Sequence, residues 1–210
     1  MTTLLAYSHL SFEIALRIGA TLAVTIVFAN IFLAMIARLN SRVGNLAIID
    51  PLTGAYNRRF LESSIQRPVE LKKRYGTPMS VLLIDVDHFK QINDGFGHAA
   101  GDTVLRDIAD RLRSSLRTID YLFRVGGEEF LVLLPESRLD GAQHVAEKLR
   151  SAIAAQPMIG NRQVTISIGA GELEADEESR DLFKRCDDAL YQAKSQGRNQ
   201  VCVSSGSPSG

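Results

Sequence analysis

Apolar residues change their spacing several times along this chain of 210 residues, and each change marks an element. From Ile18 to Ala37 there are 20 residues without a charge, and Asn30 is the one strongly polar side chain among them. A helix rising about 1.5 Å per residue makes that run roughly 30 Å long, the thickness of a bilayer core. A buried core helix would keep a polar face, and this run has none. A cleaved signal peptide would be shorter and would carry basic residues ahead of it, whereas the first basic residue is Arg17. The pattern therefore predicts a spanning helix over 18–37 within an anchor of residues 1–38. Arg38 and Arg42 follow the run and Arg17 precedes it, a weak bias that puts the C-terminal part on the cytoplasmic side.

Beyond the run the periods shorten. Residues 39–49 form a linker with Leu39, Val43 and Leu46 at helical spacing, which Asp50-Pro51-Leu52-Thr53-Gly54 breaks. Arg58 to Tyr75 is predicted as one helix, ended by Gly76 and Pro78. Ser80–Val86 is a short apolar run of the buried-strand type. Val104, Ile108, Leu112 and Leu116 recur every fourth residue, so a helix is predicted over about 102–117. Tyr121–Val125 and Phe130–Leu134 flank Gly126-Gly127 and predict a hairpin. Val145, Leu149 and Ile153 predict a helix over 139–154, Val164–Gly169 a strand, and Leu182, Cys186, Ala189, Leu190 and Ala193 a helix ended by Gly197. Val201–Val203 closes the pattern as an edge strand, and 204–210 is a low-complexity tail. Strand, helix, strand, strand, helix, strand is the α+β, ferredoxin-like (palm-type) split βαβ order, expected as one antiparallel sheet backed by helices.

Composition changes this picture little. Lys plus Arg and Asp plus Glu are 24 each, so no positive field exists to attract nucleic acid. Cys186 and Cys202 match no metal spacing and are too few for a disulfide scaffold, so they read as reduced thiols. Without Glu13, Arg17 and Arg38, residues 39–210 hold 22 basic and 23 acidic residues, and their placement matters more than their sum.

Asp85-Val86-Asp87 ends the first core strand, and Gly126-Gly127-Glu128-Glu129-Phe130 lies at the hairpin. A split βαβ sheet makes those strands neighbours, so the carboxylates converge. Gathered carboxylates repel one another unless a cation neutralises them. Hard oxygen donors in an open site suit Mg²⁺ with phosphate partners. Two glycines at the turn let a ligand approach the backbone closely. Taken singly, the glycines are also consistent with a plain turn and the glutamates with a solvated face.

Together these residues resemble a GGDEF-domain diguanylate cyclase, in the form that reads GGEEF. The resemblance covers about 50–203. It rests on DPLTGAYNRR (50–59), DVDHFKQINDGFGHAAGD (85–102), RVGGEEF (124–130), SIG (167–169) and YQAKSQGRN (191–199). It implies condensation of two GTP into cyclic di-GMP with release of two pyrophosphates, on Mg²⁺ with Mn²⁺ as an alternative. Asp85, the Val86 carbonyl and Glu128 match the metal ligands. Glu129 matches the proton acceptor for the ribose 3′-OH, and Lys90 the lysine that stabilises the transition state. Lys194 and Arg198 match the triphosphate pair, though they are also consistent with a charged helix end. His88 and Phe89 match positions whose amides contact phosphates. Asn93 and Asp102 match the guanine readers; an Asp accepts from guanine N1–H and N2–H₂, a donor pair adenine lacks. His98 matches a further substrate contact, or a loop-packing histidine.

One domain holds one GTP and the product contains two, so a two-fold homodimer is implied. Arg117-Thr118-Ile119-Asp120 lies where the family carries its inhibitory product site, with Arg117 and Asp120 as contacts. Lys148 stands where an arginine often completes that site, and a lysine is a point charge rather than a fork. The implied localisation is the inner (cytoplasmic) membrane, single-pass, with the catalytic part cytoplasmic. The alternative function is a non-catalytic cyclic di-GMP receptor of the same fold.

Overall fold

The computed structural model describes residues 17, 20–36, 48–160 and 162–204. They divide into two units, one within residues 1–47 and one from Ile48 onward. In the first, residues 20–36 are helical. Leu22, Phe28, Phe32 and Leu33 are exposed on it. Its polar side chains bond back along the helix: Thr25 Oγ1 donates to the Thr21 carbonyl (2.8 Å) and Asn30 Nδ2 to the Ile26 carbonyl (2.8 Å). This helix lies within the expected 18–37 run. Among the described residues no helix is long and apolar enough to cross a membrane. Residues 18, 19 and 37, most of the 39–49 linker and 205–210 of the tail lie outside the described residues.

The second unit is a six-stranded sheet with helices on both faces. Its elements are β1 (Tyr56–Asn57), α1 (Arg58–Ser64), α2 (Gln66–Tyr75), β2 (Met79–Val86), α3 (Phe89–Phe96) and α4 (His98–Ser115). There follow β3 (Tyr121–Arg124), β4 (Glu129–Pro135), α5 (Leu139–Ala154), β5 (Ile166–Glu172), α6 (Ser179–Ser195) and β6 (Val201–Val203). The sheet order is β1-β3-β4-β2-β5-β6. The inner four strands are antiparallel and give the expected split βαβ core. The two outer strands join in parallel, so the sheet is mixed rather than purely antiparallel.

Strand alternation assigns the two cores. Leu82, Ile84, Val86, Phe130, Val132 and Ile168 pack with Ile92, Ile108, Leu112 and Leu149. Val81, Leu131, Leu133 and Phe123 pack with Leu61, Ile65, Leu182 and Cys186. Burial pushes the Cys186 thiol up to about 12, so it is an inert core residue.

Three boundaries differ from the apolar pattern. The predicted 58–75 helix is split at Ile65. Pro68 has no N–H for the Ser64 carbonyl and its ring crowds that group, so a new helix starts and takes the proline into its first turn. Strand β5 lies two residues beyond the predicted start and continues through Gly169 and Gly171 to Glu172. A Cβ at Gly169 would collide with the Cys186 carbonyl and meet Leu190 N at 2.5 Å. These glycines let α6 lie directly on the strand. Helix α4 starts at His98, ahead of its first apolar repeat, and α3 is a short helix that buries only Phe89 and Ile92.

Candidate active site

Antiparallel pairing of β2 and β4 puts Asp85 opposite Glu129. Their side chains therefore leave the same face, and Glu128 precedes them at the mouth of the hairpin. The Val86 amide donates to the Glu128 carbonyl at 3.3 Å, which seats the hairpin on the end of β2. A Cβ at Gly126 would strike the Glu129 carboxylate, so a larger residue there would push that side chain aside. A Cβ at Gly127 would meet nothing within 4 Å, so that side of the turn is open to a ligand.

The charges at this point are unevenly balanced. Lys194, in the last turn of α6, puts Nζ 2.8 Å from Asp85 Oδ2. Burial nevertheless raises the Asp85 carboxyl above its ordinary range; Lys194 opposes the rise, and Glu129 and Asp87 add to it. Glu128 is raised as well, first by burial and then by the charge of Asp85, with Lys194 again opposing. Asp85 and Glu128 are thus held partly toward their neutral forms by burial and by neighbouring carboxylates, and a cation relieves that repulsion. Among the described residues no group of three or more His, Cys, Asp or Glu is gathered to hold a metal ion. Asp85 and Glu128 with the Val86 carbonyl are instead an open set of hard oxygen donors. That set fits a divalent cation whose remaining positions are filled by water and phosphate.

The other predicted residues lie on α3, α4 and the turn after α6. His88 (φ 58°) turns the chain into α3 in a left-handed conformation. Phe89 and Lys90 follow in the first turn, where helix amides have no intrahelical acceptor. Phe89 is buried by its ring, and the Lys90 side chain is exposed. Asn93 on α3 lies against Gly101 on α4, the residue before Asp102; a Cβ at Gly101 would collide with Asn93 Oδ1. His98 is exposed at the start of α4. Arg198 (φ 65°) is exposed on the left-handed turn after α6.

Arg117 and Asp120 are not part of this cluster. They stand before β3, at the end of that strand away from the hairpin, in a cleft of about 400 Å³ that Tyr56, Arg113 and Leu122 also line. Asp120 Oδ2 accepts from the Arg117 amide at 2.8 Å, so it fixes the turn rather than the guanidinium. Asp120 Oδ1 is buried and has no partner among the described residues. Lys148 Nζ donates to the Ser115 carbonyl at 2.8 Å, two residues ahead of Arg117.

Two groups of the site carry no role in the sequence reading. Asp50 Oδ1 accepts from Thr53 N (2.9 Å), Thr53 Oγ1 (2.7 Å) and Arg124 Nη1 (3.1 Å). Arg124 Nη2 then donates to the Gly127 carbonyl at 2.7 Å, so the entry turn is tied to the hairpin. Burial would raise Asp50, but these bonds outweigh it and hold the carboxyl below its ordinary range. Asp87 is the second group. It accepts from Thr165 Oγ1 (2.7 Å), Ser167 Oγ (2.7 Å) and the Asn199 amide (3.0 Å). Both were visible only as unassigned acids inside the DPLTG and DVD motifs.

A split βαβ sheet with carboxylates at the ends of two central strands, Lys194 against Asp85 and an open hairpin defines a palm-type domain. Residues 47–200 match the family model described as "Diguanylate cyclase, GGDEF domain", and the chain belongs to that family. It is 46% identical over 165 residues to the response regulator PleD of Caulobacter vibrioides, covering 74% of this chain and 36% of that protein. It is 44% identical over 160 residues to the diguanylate cyclase DgcP of Pseudomonas aeruginosa, covering 75% of this chain and 24% of that protein. The chain thus spans about a quarter to a third of the length of these two relatives. Its fold is similar to the coiled coil and GGDEF domain of DgcB from Caulobacter crescentus, solved in complex with c-di-GMP. That match has a TM-score of 0.72 and 25% identity, over 87% of this chain and 99% of the other.

Proposed function

We propose that this chain is an active diguanylate cyclase that joins two GTP molecules into cyclic di-GMP and releases two pyrophosphates. The observation that carries the reading is the pairing of Asp85 with Glu129 in the β2–β4 register, with Glu128 beside them at the hairpin and both Asp85 and Glu128 raised by burial and by neighbouring carboxylates. Family membership and the intact GGEEF hairpin support it.

In this reading Asp85, the Val86 carbonyl and Glu128 hold Mg²⁺, or Mn²⁺, against the phosphates. The bound cation supplies charge neutralisation at the transferring phosphoryl group. Lys90, Lys194 and Arg198 bind the triphosphate, helped by amides at His88 and Phe89. Lys194 is already within 3 Å of Asp85, so its ammonium also lies close to any phosphate held there. Asn93 and Asp102 orient guanine, and His98 touches the nucleotide from the start of α4. Glu129 accepts the proton of the ribose 3′-OH as that oxygen attacks the other nucleotide's α-phosphate, and pyrophosphate leaves. Since each domain brings one GTP, two copies face each other about a two-fold axis. The product binds at Arg117 and Asp120 and inhibits. Residues 18–37 hold the chain at a membrane with the catalytic part cytoplasmic; the apolar 20–36 helix, whose polar side chains bond within it, supports this.

The test is incubation of the purified full chain with GTP or ATP and Mg²⁺, with products identified by mass. Cyclic di-GMP from GTP alone is expected. Product binding without turnover would instead make the protein a receptor.

A further inference from the structure

Three consecutive residues after α6 have positive φ: Gly197 (118°), Arg198 (65°) and Asn199 (46°). Glycine adopts such angles freely, but an arginine does so only when its surroundings hold it there. The turn is pinned at three points. The Arg198 amide donates to the Ala193 carbonyl at 3.0 Å. Arg150 Nη1 donates to Asn199 Oδ1 at 2.9 Å. The Asn199 amide donates to Asp87 Oδ2 at 3.0 Å, across 112 residues of sequence.

The third pin joins the turn to the metal strand. Asp87 lies two residues after Asp85, and its own amide donates to the Thr165 carbonyl at 2.9 Å. Its Oδ1 accepts from Ser167 Oγ and its Oδ2 from Thr165 Oγ1, so both oxygens are engaged within the protein, and Asp87 is buried at 4% exposure. A side chain so occupied makes a poor metal ligand. Its oxygens instead receive donors from β5, the segment before it and the turn beyond α6.

We propose that Asp87 is a positioning residue that holds the left-handed Gly197–Asn199 turn against the end of β2 and so aims Arg198 at the nucleotide phosphates. This rests on the reading of Arg198 as a triphosphate contact. The donor inventory makes a specific prediction. In Asp87→Asn the amide oxygen can take the Oδ2 place and still receive the Asn199 N–H, while the NH₂ faces Ser167, whose hydroxyl can turn to accept. Asp87→Ala removes the acceptor altogether.

The test uses the full chain and two readouts: Kd for a non-hydrolysable GTP analogue in Mg²⁺, and kcat with GTP. Arg198→Ala is expected to weaken binding about tenfold, as loss of a charge-assisted phosphate contact. Asp87→Ala is expected to weaken it by a similar factor with kcat changed less than about twofold, the signature of lost uniform binding. Asp87→Asn stays within about twofold of the unmutated chain, and Asp87→Ala adds nothing in the Arg198→Ala background. If Asp87→Ala does not fold, Asp87→Ser, one atom short of the turn, carries the same expectation. The proposal is overturned if Asp87→Asn and Asp87→Ala are equally impaired, which would mark the charge as the active property. It is also overturned if the effects of Asp87→Ala and Arg198→Ala multiply. An unchanged Kd in Arg198→Ala alone would remove Arg198 from the phosphate site and the inference with it. Absence of cyclic di-GMP from the unmutated chain would overturn the proposed function separately.

Discussion

Two neighbouring glycines in the hairpin do different work. Gly126 makes room for a carboxylate of its own chain, and Gly127 leaves room for something outside it. Gly126→Ala is therefore expected to displace Glu129 and to lower kcat about 100-fold, since misplacement near 1 Å costs that much. The midpoint of thermal unfolding should stay close to the original, because the turn is at the surface. A variant with unchanged kcat would show that the Glu129 position does not matter to the reaction. Legibility at this scale was uneven. Asp85, Glu128, Glu129 and Lys194 were named from sequence because motif and register agree, and the structure gathers them. Asp87 stood in the same motif and received no role, because its partners Thr165, Ser167 and Asn199 lie far along the chain. Hydrogen bonds of that reach leave no local pattern.

Elements were legible wherever an apolar repeat was long enough. Helix α5 falls on its predicted boundaries, 139–154, with Ala146, Leu149 and Ile153 buried. Failures have local causes: Pro68 splitting a helix, and glycines in β5 that look like strand ends until α6 is laid over them. The fit of α6 also depends on a buried ion pair. Arg185 Nε and Nη2 donate to the two oxygens of Glu177 at 2.7 and 2.6 Å, while Nη2 also donates to the Glu172 carbonyl and Nη1 to Ser204 Oγ. Burial would raise Glu177, but the Arg185 bonds and the Glu174 amide outweigh it and leave the carboxyl below its ordinary range. A lowered folded-state value means that the pair's stabilisation is complete above the unfolded value. It is lost as pH falls through the folded one. Glu177→Gln is expected to cost about 3 kcal/mol at neutral pH, because it leaves Arg185 buried without its counter-charge. The variant should also show a shallower loss of stability below the ordinary glutamate range in urea melts. A melt whose acid limb matches the unmutated chain would show that other groups set it.

At the scale of the molecule, the carboxylate cluster and the Arg117 cleft stand at opposite ends of β3, so a substitution in one leaves the other in place. Arg117→Ala is expected to raise the concentration of cyclic di-GMP needed for half-inhibition about tenfold or more, as loss of a charged hydrogen bond. The initial rate before product accumulates should be unchanged. Equal inhibition of both proteins would remove Arg117 from the product site. For the N-terminal unit, flotation with liposomes is the measure. The full chain should rise with the lipid, and a chain beginning at Ile48 should remain below.

The mixed sheet has one further consequence. Its two outer strands, β1 and β6, are only two and three residues long and join in parallel. Such stubs offer too little unpaired backbone to seed a continuous ribbon between molecules. Two copies brought together at high local concentration are thereby steered away from stacking edge to edge into fibres. Encounters through side chains, and so reversible ones, are what remain to them.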